Sequence, residues 1–226
     1  MCGRFTLASD IDEFLRQYDI EVPDPLKKPR RYNLSPSQPV VGLVADPHLR
    51  LEVMEWGYLP AWAKPGAGMH TVINARIESI AEKKPYFRGA FHSARCAILA
   101  DGFYEWKKIR GGKQPYRITL KDGGVFAFAG LWSHVNTGDG SERATCAIIT
   151  VEPNELMADI HNRMPAILTP ADLSVWLDPK ARERDLYAAV EPYPSDLLRA
   201  YPVGTAMNSA AHDAPDCIAP IIDDEA

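Results

Sequence analysis

The chain has 226 residues, 46% hydrophobic and 24% charged, with a formal net charge of −5. That is the composition of an ordinary globular protein long enough to bury a sizeable core. Its negative balance excludes nonspecific coating of nucleic acid while leaving room for a local basic groove. No apolar run is long enough to span a bilayer and no signal-peptide pattern opens the chain. An intracellular location is therefore expected: cytoplasmic, at the nucleoid when on DNA, or nuclear in a eukaryote.

In chain order, Met1-Cys2-Gly3-Arg4-Phe5 comes first. Methionine before a small residue is ordinarily trimmed, so the mature chain is expected to begin at Cys2. An N-terminal cysteine carries an α-amine and a thiol on adjacent carbons. They titrate near ~8 and ~8.5, so both are partly reactive at neutral pH. The thiol can attack an acyl carbon with the amine as base. Alternatively, the amine can condense with an aldehyde and the thiol can close a thiazolidine ring. Taken alone, Cys2 carries no more weight than any second residue.

Ser9 is expected to cap a helix that turns Ile11, Phe14, Leu15 and Tyr18 to one face. Residues 21–39, rich in proline and basic side chains, read as a loop. Segments 40–44 and 49–56 read as strands joined by a turn at Asp46-Pro47, and 62–70 as an exposed loop. Further strands are expected at 95–100, 103–107, 116–120, 125–131 and 145–151, separated by glycine-rich turns. Pro153 starts a short helix through Ile160. Thr169-Pro170 starts another, with Leu173, Trp176 and Leu177 inward. Residues 192–226 are proline-rich and read as irregular, with one short strand near 201–203. With no repeat and no linker, the expectation is a single α+β domain over 1–226. A curved, mostly antiparallel sheet would form a small barrel-like core surrounded by short helices.

The cysteines are Cys2, Cys96, Cys146 and Cys217, and no C-x-x-C pair is present. A structural zinc site and disulfides are therefore not expected, and Cys96 and Cys146 read as buried strand residues. Basic residues cluster at Lys27, Lys28, Arg30 and Arg31, at Lys83, Lys84 and Arg88, and at Lys107, Lys108, Arg110 and Lys113. Each cluster by itself reads as solvated surface.

Several polar residues sit in unusual settings. Asn74 and Arg76 lie in an apolar stretch, and Glu105 is flanked by aromatics. A desolvated carboxylate there has a raised pKa, suited to proton transfer near neutral pH. His161, the natural proton shuttle at that pH, and Arg163 follow a short helix. Each also has a plain structural use. Glu105 can pair with Lys107 or Arg117, Asn74 can cap a turn, His161 can end a helix, and Arg76 can join an ion pair. His48, His70, His92, His134 and His212 read as surface or packing residues. No P-loop, G-x-G-x-x-G, H-E-x-x-H or G-x-S-x-G occurs, which removes the common nucleotide, zinc-protease and serine-hydrolase readings.

Six ordered segments together resemble the SOS-response-associated peptidase (SRAP) family. They are Met1-Cys2-Gly3-Arg4-Phe5, Arg31-Tyr32-Asn33-Leu34-Ser35-Pro36, Trp56-Gly57-Tyr58-Leu59-Pro60-Ala61-Trp62, Ile73-Asn74-Ala75-Arg76-Ile77-Glu78, Ala100-Asp101-Gly102-Phe103-Tyr104-Glu105-Trp106 and His161-Asn162-Arg163-Met164-Pro165. The family includes the 5-hydroxymethylcytosine-binding protein of embryonic stem cells. The resemblance implies covalent capture of abasic sites in single-stranded DNA through Cys2, by a Schiff base and then a thiazolidine, with lyase and autoproteolytic activities alongside. It implies that Glu105 assists ring opening and imine formation, that His161 shuttles protons, and that Asn74 orients the cysteine or the sugar. Arg4, Arg76 and Arg163 would hold flanking phosphates. Asn33, Pro36 and Trp62 would shape the DNA channel, Trp62 by stacking. No metal or organic cofactor and no membrane is implied, and a monomer is expected. Segment 207–212 departs from the family pattern in lacking a basic residue that members often carry there. Three other readings stay open: an N-terminal-cysteine amidohydrolase, a peptidase acting on its own N-terminus, and a noncatalytic module for modified DNA.

Overall fold

The computed structural model describes residues 2–26, 30–45, 48–64, 70–82 and 85–221. The expected turn at Asp46-Pro47, the middle of loop 62–70, and Lys27, Lys28, Lys83 and Lys84 lie outside the described residues. Among them are thirteen strands. These are β1 (Phe5–Leu7), β2 (Arg31–Leu34), β3 (Pro39–Ala45), β4 (Leu49–Trp56), β5 (Asn74–Arg76), β6 (Arg95–Ala100), β7 (Gly102–Ile109), β8 (Gly112–Leu120), β9 (Phe126–Asn136), β10 (Glu142–Val151), β11 (Met164–Pro165), β12 (Ile167–Leu168) and β13 (Leu198–Pro202). Six short helices surround them: α1 (Asp12–Arg16), α2 (Ile77–Ala81), α3 (Pro85–Ser93), α4 (Glu155–Ala158), α5 (Pro170–Leu177) and α6 (Glu183–Ala188).

A closed ring forms the core. Strand β10 pairs with β9, β9 with β6, β6 with β3 and β3 with β4, all antiparallel. The ring closes through a parallel pairing of β4 with β10 at Cys146 and Trp56. Every residue of β6 is buried, which is why its sequence from Cys96 to Ala100 is a continuous apolar run rather than an alternation. Gly130 lies where the ring is tightest: a Cβ there would meet Cys96 Sγ at 2.8 Å and the Ala147 carbonyl at 3.0 Å. Outside the ring, β5 and β11 also hydrogen-bond to β10, which brings Asn74 and Arg163 to the same strand.

The second sheet runs β13-β8-β7-β1-β2 and carries the start of the chain. Strand β1 is held on both sides, Phe5 pairing with Phe103 of β7 and with Leu34 of β2. Side chains alternate along β7. Phe103 joins the main core, whereas Tyr104 faces a second small core with Val203, Met207 and Cys217. Alternation then puts Glu105 on the Phe103 side, toward the barrel.

Asp101 fixes this sheet to the segment after β1. Its Oδ2 accepts from the Ala8 and Ser9 amides at 2.9 and 2.7 Å and from Ser9 Oγ at 2.8 Å. Its Oδ1 accepts from Thr6 Oγ1 at 2.5 Å and from Arg117 at 3.2 Å. The Arg117 guanidinium lies flat over Gly102, where a Cβ would stand 2.8 Å from it. Arg117 therefore serves Asp101 and not Glu105, with which Lys107 or Arg117 was an alternative pairing.

The barrel with peripheral helices is the α+β architecture expected from sequence, with corrections in detail. Ser9 does not cap α1. Its hydroxyl serves Asp101, the N-cap position falls on Ile11, and Asp10 accepts from the Asp12 amide instead. Residues 31–34 of the expected loop form β2, because pairing with β1 overrides their loop-like composition. The stretch from 192 is only partly irregular: β13 pairs with β8 along five residues, and short 3₁₀ turns pack onto Tyr104. Thr169 caps α5 as expected, accepting from the Asp172 amide.

Asp101→Ala leaves a buried Arg117 without its partner and strips Ala8 and Ser9 of their acceptor. A loss of about 3–5 kcal/mol is expected, read from urea unfolding. A change below about 1 kcal/mol, the range of a surface ion pair, would contradict this role for Asp101.

Candidate active site

Cys2 is fully buried, three residues ahead of Phe5, whose ring packs edge-on against Trp56 at 5.1 Å and Phe128 at 5.7 Å. Its carbonyl accepts from Asn74 Nδ2 at 2.8 Å, and its thiol points to the Arg4 carbonyl at 3.7 Å. Burial, and next the charge of nearby Glu105, push the thiol far above its ordinary pKa. The resting group is a thiol, not a thiolate.

Glu105 is 1% exposed, and burial raises its pKa, with His161 acting in the opposite direction. This is the shift expected from its aromatic flanks. His161 Nε2 lies 4.0 Å from Glu105 Oε2. The histidine follows α4, which Asn154 caps by accepting from the Met157 amide at 2.9 Å, and its own amide donates to the Met157 carbonyl. On its other side, Nδ1 is 3.0 Å from the Arg163 amide nitrogen and 3.2 Å from the Arg163 carbonyl oxygen. Asn74 keeps one buried acceptor, Oδ1, without a hydrogen-bond partner among the described residues.

Cys2, Asn74, Glu105 and His161 thus converge, although they come from the N-terminus, β5, β7 and the turn after α4. The other candidates are placed differently. Arg76 is exposed beside the group, two residues past Asn74, with Glu78 as its electrostatic neighbour. Arg163 is 9% exposed and bound to Glu78, by 2.5 Å and 3.1 Å contacts, and to the Thr150 carbonyl. Arg4 donates to Asn33 Oδ1 and to the carbonyls of Met207 and Asn208. Asn33 in turn donates to the carbonyls of Met207, Ser209 and His212. Those two residues therefore clamp the C-terminal segment to the sheet. Pro36 occupies the second position of a type II turn closed by Gln38 onto Ser35, with Ser37 at φ 67°. Trp62 is 61% exposed at a cleft of about 860 Å³ with Tyr58, Tyr86, Trp132 and His134, and none of the Cys2 group lines it.

Sequence reasoning passed over Glu78, Asp101 and Asp213. Asp213 accepts from the Tyr32 and Asn33 amides and from Arg31. Glu78 and Asp101 stand within quoted segments, but an acidic residue shows its partner only once distant strands are paired. The described residues hold one cluster with metal-ligand atoms close together, His212, Asp216 and Cys217, in which His212 already pairs with Asp216 at 2.8 Å.

The site therefore joins a buried cysteine to a carboxyl, an imidazole and an amide at a mixed barrel. The SOS response associated peptidase (SRAP) family model matches residues 1–210, and the chain belongs to that family. It is 44% identical over 223 residues to abasic site processing protein YoqW of Bacillus subtilis, covering 96% of this chain and 99% of the relative. It is 31% identical to abasic site processing protein YedK of Escherichia coli, covering 98% and 100%. A crystal structure from Bacteroides thetaiotaomicron shares the fold, with TM-score 0.86 at 23% identity, over 98% of this chain and 100% of that one.

A buried carboxyl whose pKa is raised binds its proton more tightly in the fold than in the unfolded chain. Its effect on stability is therefore most favourable below the ordinary 4.5 and is lost as pH rises through the raised value. Glu105→Gln removes that dependence. The variant is expected to gain stability over the wild type as pH rises from 4 to 8, measured by urea midpoints. A pH-independent difference would contradict it.

Proposed function

We propose that this protein captures abasic sites in single-stranded DNA by covalent reaction at Cys2, shielding the lesion. The observation that carries the reading is the placement of Cys2, its backbone held by Asn74 and its thiol within the field of the buried acid Glu105. The relatives, named abasic site processing proteins, support the substrate class.

Removal of Met1 frees the Cys2 amine. An abasic deoxyribose is partly a ring-opened aldehyde, and Glu105, whose pKa burial raises, gives a proton to the ring oxygen as the ring opens and recovers one from the C1′ hydroxyl. The amine adds to C1′ and loses water to give an imine. The thiol sulfur then adds to the imine carbon while the ring nitrogen gains the proton that sulfur loses. Closure is proton-neutral, so a thiol held protonated by burial is no obstacle if a neighbour carries the proton across. His161 and Glu105 provide that path. Asn74 Oδ1 accepts from the amine or a sugar hydroxyl. Consuming the imine withdraws the species that would drive β-elimination, so the strand is kept whole.

Exposed Arg76 holds a flanking phosphate. Arg163 acts from behind His161, with its guanidinium on Glu78. Arg4 and Asn33 support the DNA path by anchoring segment 207–212, Pro36 sets a turn at its edge, and Trp62 offers a face for an unpaired base. Both nucleophiles and the proton carriers belong to this chain, so the reading needs no metal or organic cofactor. The protein works as a monomer on DNA inside the cell.

The test is a denaturing gel of trimmed protein with single-stranded DNA bearing one abasic site. A heat-stable shifted band is expected in the wild type and not in Cys2→Ala, whose fold is retained. Cys2→Ser should give at most an imine trapped by borohydride. A band that persists in Cys2→Ala, or none in wild type shown by mass to lack Met1, would overturn the proposal. The second result directs attention to glutamine hydrolysis. Arg76→Ala is expected to lower the salt slope of single-strand binding by about 0.7, and an unchanged slope would return Arg76 to a structural role.

A further inference from the structure

Arg163 serves the site with two separate parts. Its peptide serves His161, with the amide nitrogen 3.0 Å and the carbonyl oxygen 3.2 Å from Nδ1. A neutral ring protonated at Nε2 accepts the amide N–H there. A ring that also carries a proton on Nδ1 donates to the carbonyl instead. One peptide therefore supports the imidazole before and after it takes up a proton, and the ring need not turn between the two states.

The guanidinium is held elsewhere. Nη1 donates to Glu78 Oε1 at 2.5 Å and Nη2 to Oε2 at 3.1 Å, the bidentate geometry that a planar fork matches. Nη2 also donates to the Thr150 carbonyl on β10 at 2.5 Å. The strand pairing that fixes this backbone begins only at Met164, against Val151. The ion pair is thus the side-chain anchor of the peptide that meets His161. Glu78 itself stands in the first turn of α2, directly after the strand that carries Asn74 and Arg76. One contact joins the segment that grips Cys2 to the segment that presents His161. Without Glu78, the nearest other carboxylate to Arg163 is that of Glu152, 3.9 Å away and 81% exposed.

We propose that Glu78 is a positioning residue for His161, acting through Arg163: it fixes the peptide that selects the ring's tautomer and aims Nε2 at Glu105. The catalytic consequence rests on the proposed function; the placement does not. The test uses the full chain, wild type beside Glu78→Ala and Glu78→Gln, the latter keeping the shape and one acceptor. Two-bond proton–nitrogen spectra read the imidazole nitrogens, with His161 assigned by loss of its signals in His161→Gln. The wild type is expected to show the Nε2-protonated tautomer when neutral. Glu78→Ala is expected to show a mixture of tautomers, with Glu78→Gln between.

In parallel, the crosslinking rate constant at saturating abasic DNA is expected to fall about ten- to hundredfold in Glu78→Ala, with affinity for undamaged single strands unchanged. His161 signals identical to wild type in both variants overturn the proposal. So does tighter DNA binding by Glu78→Ala at an unchanged rate, because Glu78 would then be occupying a phosphate seat on Arg163. If the wild type forms no crosslink, the proposed function fails on its own, and the nitrogen signals still decide the positioning role.

Discussion

The first residues of a chain ordinarily fray, because nothing offsets the entropy of ordering them. Here Cys2, Phe5 and Thr6 are buried, and the Asp101 carboxylate helps to hold them there. It accepts from Thr6, Ala8, Ser9 and Arg117, so the segment leaving β1 cannot slide relative to β7. Upstream, Phe5 seals β1 into the barrel against Trp56 and Phe128. With both ends of β1 fixed, Cys2 has one position, and Glu105 on the same face of β7 has one relation to it.

Burial that fixes Cys2 also sets its chemistry. A thiol and a carboxyl share a desolvated site: burial raises the pKa of both, and the charge of Glu105 adds to the cost of ionising the thiol. The resting thiol is therefore uncharged. That suits a condensation whose steps move protons between neighbours and leave no net charge behind, and it suits a thiolate nucleophile poorly. An N-terminal-cysteine amidohydrolase needs its sulfur as the attacking anion; capture of an aldehyde uses the amine first.

Much of this was legible in the sequence where local physics decides the outcome. Strand β6 falls at the expected 95–100, since the apolar run from Cys96 to Ala100 has few alternatives. Thr169-Pro170 caps α5 because both residues act within one turn. The aromatic flanks of Glu105 point to its burial and raised pKa. The failures are long-range. Ser9 has the chemistry of a helix cap but meets Asp101 first. Residues 31–34 look like a loop until β1 pairs with them. Arg163 looks like a free cation in sequence, yet its guanidinium is spent on Glu78, a partner 85 positions away. Arg4 and Asn33 likewise turn inward to carbonyls of a C-terminal segment that no sequence pattern connects to them.

The central claim is that the amine and thiol of one residue close a ring on the sugar carbon. Tandem mass spectrometry of the protease-digested adduct with an abasic oligonucleotide tests it most directly. The expected product is the N-terminal peptide, beginning at Cys2, joined to the oligonucleotide with loss of one water and with its mass unchanged by borohydride. An adduct on another residue would contradict the account, as would an N-terminal adduct that gains two hydrogens on reduction, the mark of an imine left open.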